Sequence, residues 1–227
     1  MGQILDNLTE VREALAGAIE KSGRVAEDIT LMAVSKHQTL SSITEAVEAG
    51  QLVFGENKVQ EGIDKIPQFS EELQWHMIGH LQRNKVRKVL SSFHYVHGVD
   101  SLKLASYMNN VALDLGIIGK IFLQVNIGRE EQKSGFLTED LLSQYEQILA
   151  LDNLDIQGLM CIPPAADSAE ETRQWFAATR ELRDDLEEKF PKKLPSLSMG
   201  MSSDYCVAIE EGATIVRVGS TIFGSRN

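Results

Sequence analysis

A single (β/α)8 TIM-type barrel preceded by an N-terminal helix is the fold class this sequence predicts, and three observations predict it. Short apolar runs alternate with amphipathic helical stretches along the 227 residues, and uninterrupted alternation demands parallel strands joined by helical crossovers. The apolar runs number eight, the count that closes such a barrel. The rival, an open doubly wound sheet, would be marked by a Gly-x-Gly-x-x-Gly turn, and none occurs. With no composition break, low-complexity linker or fixed repeat, residues 1–227 are expected to form one domain.

The elements follow in order. Ile4, Leu5, Leu8, Val11, Leu15, Ala18 and Ile19 recur at helical spacing, and Gly23 stands where that helix should stop. Ile29 to Lys36 is the first apolar run, followed by a helix capped by Ser41 or Ser42 and stopped by Gly50. A second run, Leu52 to Asn57, precedes a short helix from Val59 to Ile66 that Pro67 breaks. Leu73 to His80 and Tyr95 to Val99 read as strands around a short basic helical stretch from Asn84 to Leu90. Ser101 caps a helix reaching Leu115, and Lys120 to Asn126 is the clearest strand of the chain. After a charged loop, Thr138 caps a helix ending near Ala150, and Leu154 to Met160 is the sixth strand. Ser168-Ala-Glu-Glu171 has the capping-box pattern and should open a long charged helix to Phe190. Leu197 to Gly200, a helix from Ser202 or Ser203 to Glu211, and Thr214 to Gly219 complete the set.

In such a barrel function collects at the carboxyl ends of the strands, with phosphate held by the last two turns. Those ends carry Lys36, Asn57, His80, His97-Gly98, Asn126, Met160-Cys161, Met199 to Ser202 and Gly219-Ser220-Thr221. An ammonium buried without a partner is costly, so Lys36 either snorkels its head to solvent or is a nucleophile toward carbonyl compounds. Met201-Ser202 leading into a helix, together with Gly219-Ser220, reads as a phosphate cup of backbone N–H groups and hydroxyls, or else as ordinary turns. Arg217 shares the face of Gly219 on its strand. If that face is interior, its guanidinium must be paired or contact a ligand. His76 and His80 have the spacing of helical metal ligands but sit in a strand, so no metal site is expected.

The formal charge of −11 argues against nucleic acid and anionic membrane as partners, both of which need a positive footprint. No apolar run approaches a bilayer span, and the N-terminal stretch does not read as a secretory signal. Two cysteines without metal-type spacing are expected as buried, reduced thiols of a cytoplasmic protein. The chain is expected to act as a monomer.

Several longer motifs stand in order: Ala33-Val-Ser-Lys36, Phe54-Gly-Glu-Asn-Lys-Val-Gln-Glu61, Trp75-His-Met-Ile-Gly-His-Leu-Gln82, Lys133-Ser-Gly-Phe136, Gly158-Leu-Met160, Leu197 to Asp204, and Gly212 to Ser220 closing on Ile222-Phe-Gly224. Through them the chain resembles the pyridoxal phosphate homeostasis proteins over nearly its full length. The resemblance implies a barrel similar to the amino-terminal domain of alanine racemase, binding pyridoxal 5'-phosphate covalently through Lys36 as a Schiff base. It implies that Met201, Ser202, Gly219 and Ser220 hold the phosphate, that Arg217 meets the pyridine nitrogen, and that Asn57 and His80 line the cofactor. It implies a role in vitamin B6 and amino-acid homeostasis without a demonstrated activity. The first reading of that role is a carrier and buffer of the aldehyde that could pass it to apo-enzymes. Two alternatives stay open: a weak pyridoxal-phosphate racemase, and an aldolase-type lysine working without cofactor.

Overall fold

A computed structural model describes residues 2–224. A helix α1 (Gln3–Ser22) precedes eight strands: β1 (Thr30–Val34), β2 (Val53–Glu56), β3 (Gln74–Met77), β4 (Tyr95–Val99), β5 (Gly119–Val125), β6 (Leu154–Cys161), β7 (Ser196–Met201) and β8 (Ile215–Val218). They pair in sequence order, all parallel, and β8 returns to β1 through Thr30 opposite Ile215 and Met32 opposite Arg217. The barrel is therefore closed, as the eight runs predict. Its crossovers are α2 (Leu40–Glu48), α3 (Val59–Lys65), α4 (Val86–Ser92), α5 (Leu102–Leu115), α6 (Thr138–Leu149), α7 (Arg173–Lys189) and α8 (Tyr205–Glu210), with a final turn of helix α9 (Ser220–Phe223).

Alternate strand residues divide between two cores. Ala33, Phe54, Trp75 and Leu123 face outward into the layer between strands and helices, where they join the buried faces of the crossovers. Met32, Phe122, Met160 and Ile215 form a separate interior cluster. The interior also holds a polar chain from β3 to β8, taken up below. Gly158 marks the tightest approach between strands: a Cβ there would lie 1.7 Å from the Ser196 carbonyl oxygen.

The first helix seals the β8–β1 seam. Ile4, Leu8, Val11, Ala18 and Ile19 are buried, Asn7 donates to the Ile222 carbonyl at 2.8 Å, and Arg12 donates to that of Ala49 at 2.8 Å. Gly23 and Gly116 end their helices in the left-handed region, at φ +69° and +66°, as their positions predict. Ser101 caps α5 by accepting from Leu104 N–H. No helix among the described residues is long and apolar enough to cross a membrane.

Several caps differ from expectation, for one shared reason: where hydroxyls or acids cluster, spacing does not say which one turns inward. Thr39, not Ser41 or Ser42, caps α2 by accepting from Ser42 N–H. Thr138 is the first residue inside α6, with Leu137 at the cap position. The Ser168 hydroxyl donates to Glu171 Oε1 at 3.0 Å and does not cap a helix; α7 itself begins at Arg173, after a 3-10 turn. The helix expected from Ser202 or Ser203 begins only at Tyr205. Cys161 is buried, whereas Cys206 is only partly so, and both are free.

Candidate functional site

Lys36 stands two residues beyond β1, half-buried in a turn whose next residue, His37, has φ +64°. That conformation is uncommon for a non-glycine residue, and a buried ionic cluster fixes it. Lys65, from the last turn of α3, donates to the Ser35 carbonyl at 2.7 Å, Glu56 Oε1 at 2.8 Å and Glu61 Oε1 at 2.6 Å. Glu61 in turn accepts from the His37 backbone N–H, and Ser35 Oγ donates to Glu56 Oε1 at 2.7 Å. The residues on both sides of Lys36 are thus held to α3. Burial pushes the Glu56 carboxyl upward despite hydrogen bonds from Lys65 and Ser35. Burial also pushes Glu61 up, but there the hydrogen bonds from Lys65 and His37 outweigh it and the net shift is downward.

Lys36 lines a cavity of about 390 Å³ at the carboxyl ends of the strands. Asn57, Met201, Ser202, Arg217, Gly219 and Ser220 line it too, so the predicted residues of β1, β2, β7 and β8 converge. Val34, Ile78 and Ile162 add apolar walls. No aspartate or glutamate is among the described lining residues, although the chain carries a net charge of −11.

The last two turns are joined: Ser202 Oγ accepts from Gly219 N–H at 3.1 Å. The Asp204 carboxylate folds back on the strand end, accepting from Met201 N–H at 2.6 Å. Its pKa is pushed up by burial, against the pull of that hydrogen bond and of Arg217. α8 has six residues and α9 four, so no long-helix dipole stands behind these two turns.

Arg217 points into the barrel, as its shared face with Gly219 requires. Its Nη1 donates to the Ser198 carbonyl at 2.6 Å and Ser198 Oγ at 2.8 Å, and its Nη2 donates to the Cys161 carbonyl at 2.9 Å. It makes no ion pair among the described residues; burial lowers its pKa, opposed by Cys161 and Asp204.

His80 lies elsewhere. It is exposed, 3.2 Å from Asp100 Oδ2, and lines a neighbouring cavity of about 250 Å³ that shares only Asn57, Ile78 and Ile162 with the first. Three other expected rim positions are interior or structural. His97 is fully buried in mid-strand, stacked on Phe122 with centroids 4.1 Å apart. Met160 belongs to the interior cluster, and burial pushes the Cys161 thiol up to about 11. Asn126 braces the following loop, donating to the Glu130 carbonyl at 2.9 Å and accepting from Glu130 N–H at 3.1 Å. His76 points into the barrel while His80 sits on its rim, so the two share no site. Sequence reasoning missed Lys65, Glu56 and Glu61; the i,i+4 spacing of Glu61 and Lys65 was the available signal.

Residues 12–227 match the family described as alanine racemase, N-terminal domain. The pyridoxal phosphate homeostasis protein of Aquifex aeolicus is 40% identical over 222 residues, covering 97% of each chain. The structure of PipY from Synechococcus elongatus with PLP bound superposes with a TM-score of 0.86 at 38% identity, over 97% of this chain and 100% of that one. An alanine racemase from Clostridium difficile shares the fold at 18% identity and TM-score 0.76, over 96% of this chain and 60% of that one. The chain belongs to the alanine racemase N-terminal domain family and, within it, to the pyridoxal phosphate homeostasis proteins.

Proposed function

We propose that the chain binds pyridoxal 5'-phosphate in the 390 Å³ cavity and serves as its intracellular buffer and carrier. The observation that carries the reading is the charge of that cavity: Lys36 and Arg217 enter it and no described carboxylate does, in an otherwise acidic protein. A phosphate monoester fits the Ser202 and Ser220 hydroxyls and the turn N–H groups other than those of Met201 and Gly219, which Asp204 and Ser202 already hold. Val34, Ile78 and Ile162 suit the faces of an aromatic ring. The Arg217 guanidinium, donor-only and already held by two carbonyls, suits an unprotonated pyridine nitrogen. Lys36 Nζ is the amine that would bond the aldehyde carbon as a Schiff base. When bound, the cofactor supplies a reactive carbonyl and an electron-withdrawing ring.

Binding without turnover is part of the proposal. Racemisation needs an acid/base group on each face of the substrate. Of the described side chains lining this cavity, Lys36 alone is a base of that kind; the others are amides, serines, apolar residues and a buried arginine. An arginine at the pyridine nitrogen also keeps that nitrogen unprotonated and so weakens the ring as an electron sink. A half-buried Lys36 leaves the linkage reversible and reachable, which suits hand-over to apo-enzymes. The same reading takes the barrel as one domain that acts as a monomer. Its free cysteines suit the reducing cytoplasm.

Titrating the purified protein with pyridoxal phosphate should give a saturable visible absorbance. The loaded protein, incubated with a panel of amino acids in heavy water, should leave their α-carbons undeuterated. No absorbance change would remove the binding reading, and deuterium uptake would make the protein an enzyme.

A further inference from the structure

The barrel has a second open end. At the amino-terminal mouth, the strand-opening residues Thr30, Gln74, Tyr95 and Ser196 surround a hollow of about 560 Å³, larger than the cavity at the opposite end. Barrels of this kind normally fill their interior with branched apolar layers. Here polar residues share the lining with Phe122 and Ile215, and two arginines, Arg24 and Arg183, line the opening with the exposed Glu27 and Asp28. Arg24 donates to the Ala213 carbonyl at 2.6 Å and makes no ion pair among the described residues. Arg183 pairs with its neighbour Asp184.

The His76 ring forms part of this lining, and it ends a chain of hydrogen bonds through the barrel. Arg217 Nη1 donates to Ser198 Oγ at 2.8 Å, Ser198 Oγ lies 2.9 Å from His97 Nδ1, and His97 Nε2 lies 2.9 Å from His76 Nδ1. Arginine only donates, so the serine proton is assigned to His97 Nδ1, its partner among the described residues. Both imidazoles are buried and kept neutral, so each carries one proton. His97 therefore holds its proton on Nε2 and gives it to His76 Nδ1, and His76 holds its own on Nε2. That buried N–H has no partner among the described residues. An unsatisfied buried donor is rare and costly.

We propose that this amino-terminal mouth is a second binding site, for a small monocarboxylate with a hydrogen-bonding substituent, gripped by Arg24 and Arg183 and sensed by the His76 end of the buried chain. Two guanidiniums at one opening call for an oxyanion, and an occupant against the His76 ring perturbs the unpartnered Nε2–H behind it. Glu27 and Asp28 at the same opening repel a multiply charged one and offer acceptors to a hydroxyl or ammonium substituent. The volume suits a metabolite-sized ligand. Because the chain ends on Arg217, an occupant here is felt at the cavity beyond; that coupling rests on the pyridoxal phosphate reading, whereas the binding does not.

The test uses cofactor-free, full-length protein labelled with 15N, titrated with sodium lactate to about 50 mM while the histidine ring nitrogens are followed by NMR. The expected result is a saturable shift at His76 Nε2, with a smaller one at His97. Arg24→Gln and Arg183→Gln, both near the surface, should each weaken binding about tenfold. No shift, an equal shift with sodium chloride at matched ionic strength, or wild-type affinity in both arginine variants would overturn the site. Tighter binding of inorganic phosphate than of lactate would overturn its carboxylate class. A separate pyridoxal phosphate titration of the same sample tells failure here from failure at the other mouth.

Discussion

Replacing Lys65 with methionine is expected to cost the fold roughly 3–5 kcal/mol, the usual penalty for removing one partner of a buried charge pair. Lys65 is 7% exposed and Glu56 is fully buried, so Glu56 would lose its counter-ion without gaining water. Its carboxyl is already pushed up by burial and takes up a proton when the ammonium goes. The deficit should therefore shrink as the pH falls toward the carboxylate range. The double variant Lys65→Met, Glu56→Gln should recover a good part of it, because a neutral pair has no uncompensated charge. Urea unfolding of wild type, single and double variants checks this. A single variant within about 1 kcal/mol of wild type would show that the cluster is solvated, as exposed pairs are. The same substitution releases Ser35 and the Glu61 grip on His37, so the turn bearing Lys36 loses its support in the folded protein as well.

Acid is expected to weaken the protein well before its carboxylates titrate. Burial pushes His76 down to about 3 from 6.5, with a further push from His94, and burial pushes His97 well below its ordinary value, aided by His76 and Arg217. Both are lowered in the folded state, so the unfolded chain binds more protons below 6.5. Their stabilisation is complete above that value and is lost as the pH falls toward the folded pKa values. Going from about pH 7 to about pH 5 should cost about 2 kcal/mol for His76, with a contribution of the same sign from His97. Glu56, raised by burial, works in the opposite sense but only nearer the carboxylate range. Urea midpoints across this interval measure the slope. His97→Gln, which can still hydrogen-bond at both ends, should remove part of it, and an unchanged slope would place the cause elsewhere.

The barrel was legible in the sequence because its signal is local and repeated: eight apolar runs, each followed by a helical period, leave few topologies. The residues of the cofactor cavity were legible for a related reason. Lys36, Asn57, Ser202 and Gly219 end their runs, and strand ends of a parallel barrel share one rim. Positions are hidden in the sequence where a run's sequence end is not its geometric end. His97 sits in a five-residue strand whose stagger in the barrel depends on its neighbours, and the stagger places it inside. Lys65 was missed because its partners come from β2, from the Lys36 turn and from α3, and only the last of these is near in sequence. The polar amino-terminal mouth was equally hidden: Thr30, Gln74 and Ser196 read singly as strand-edge residues and become a lining only when the sheet closes.

On the proposed function, the Lys36 amine bonds the aldehyde of pyridoxal phosphate at the mouth it shares with Ser202 and Gly219. Borohydride reduction of the loaded protein, followed by peptide mapping, tests it most directly. One modified lysine, Lys36, is expected in near-stoichiometric yield, with no adduct in Lys36→Ala. A full-occupancy adduct on another lysine, or one that persists in Lys36→Ala, would contradict it.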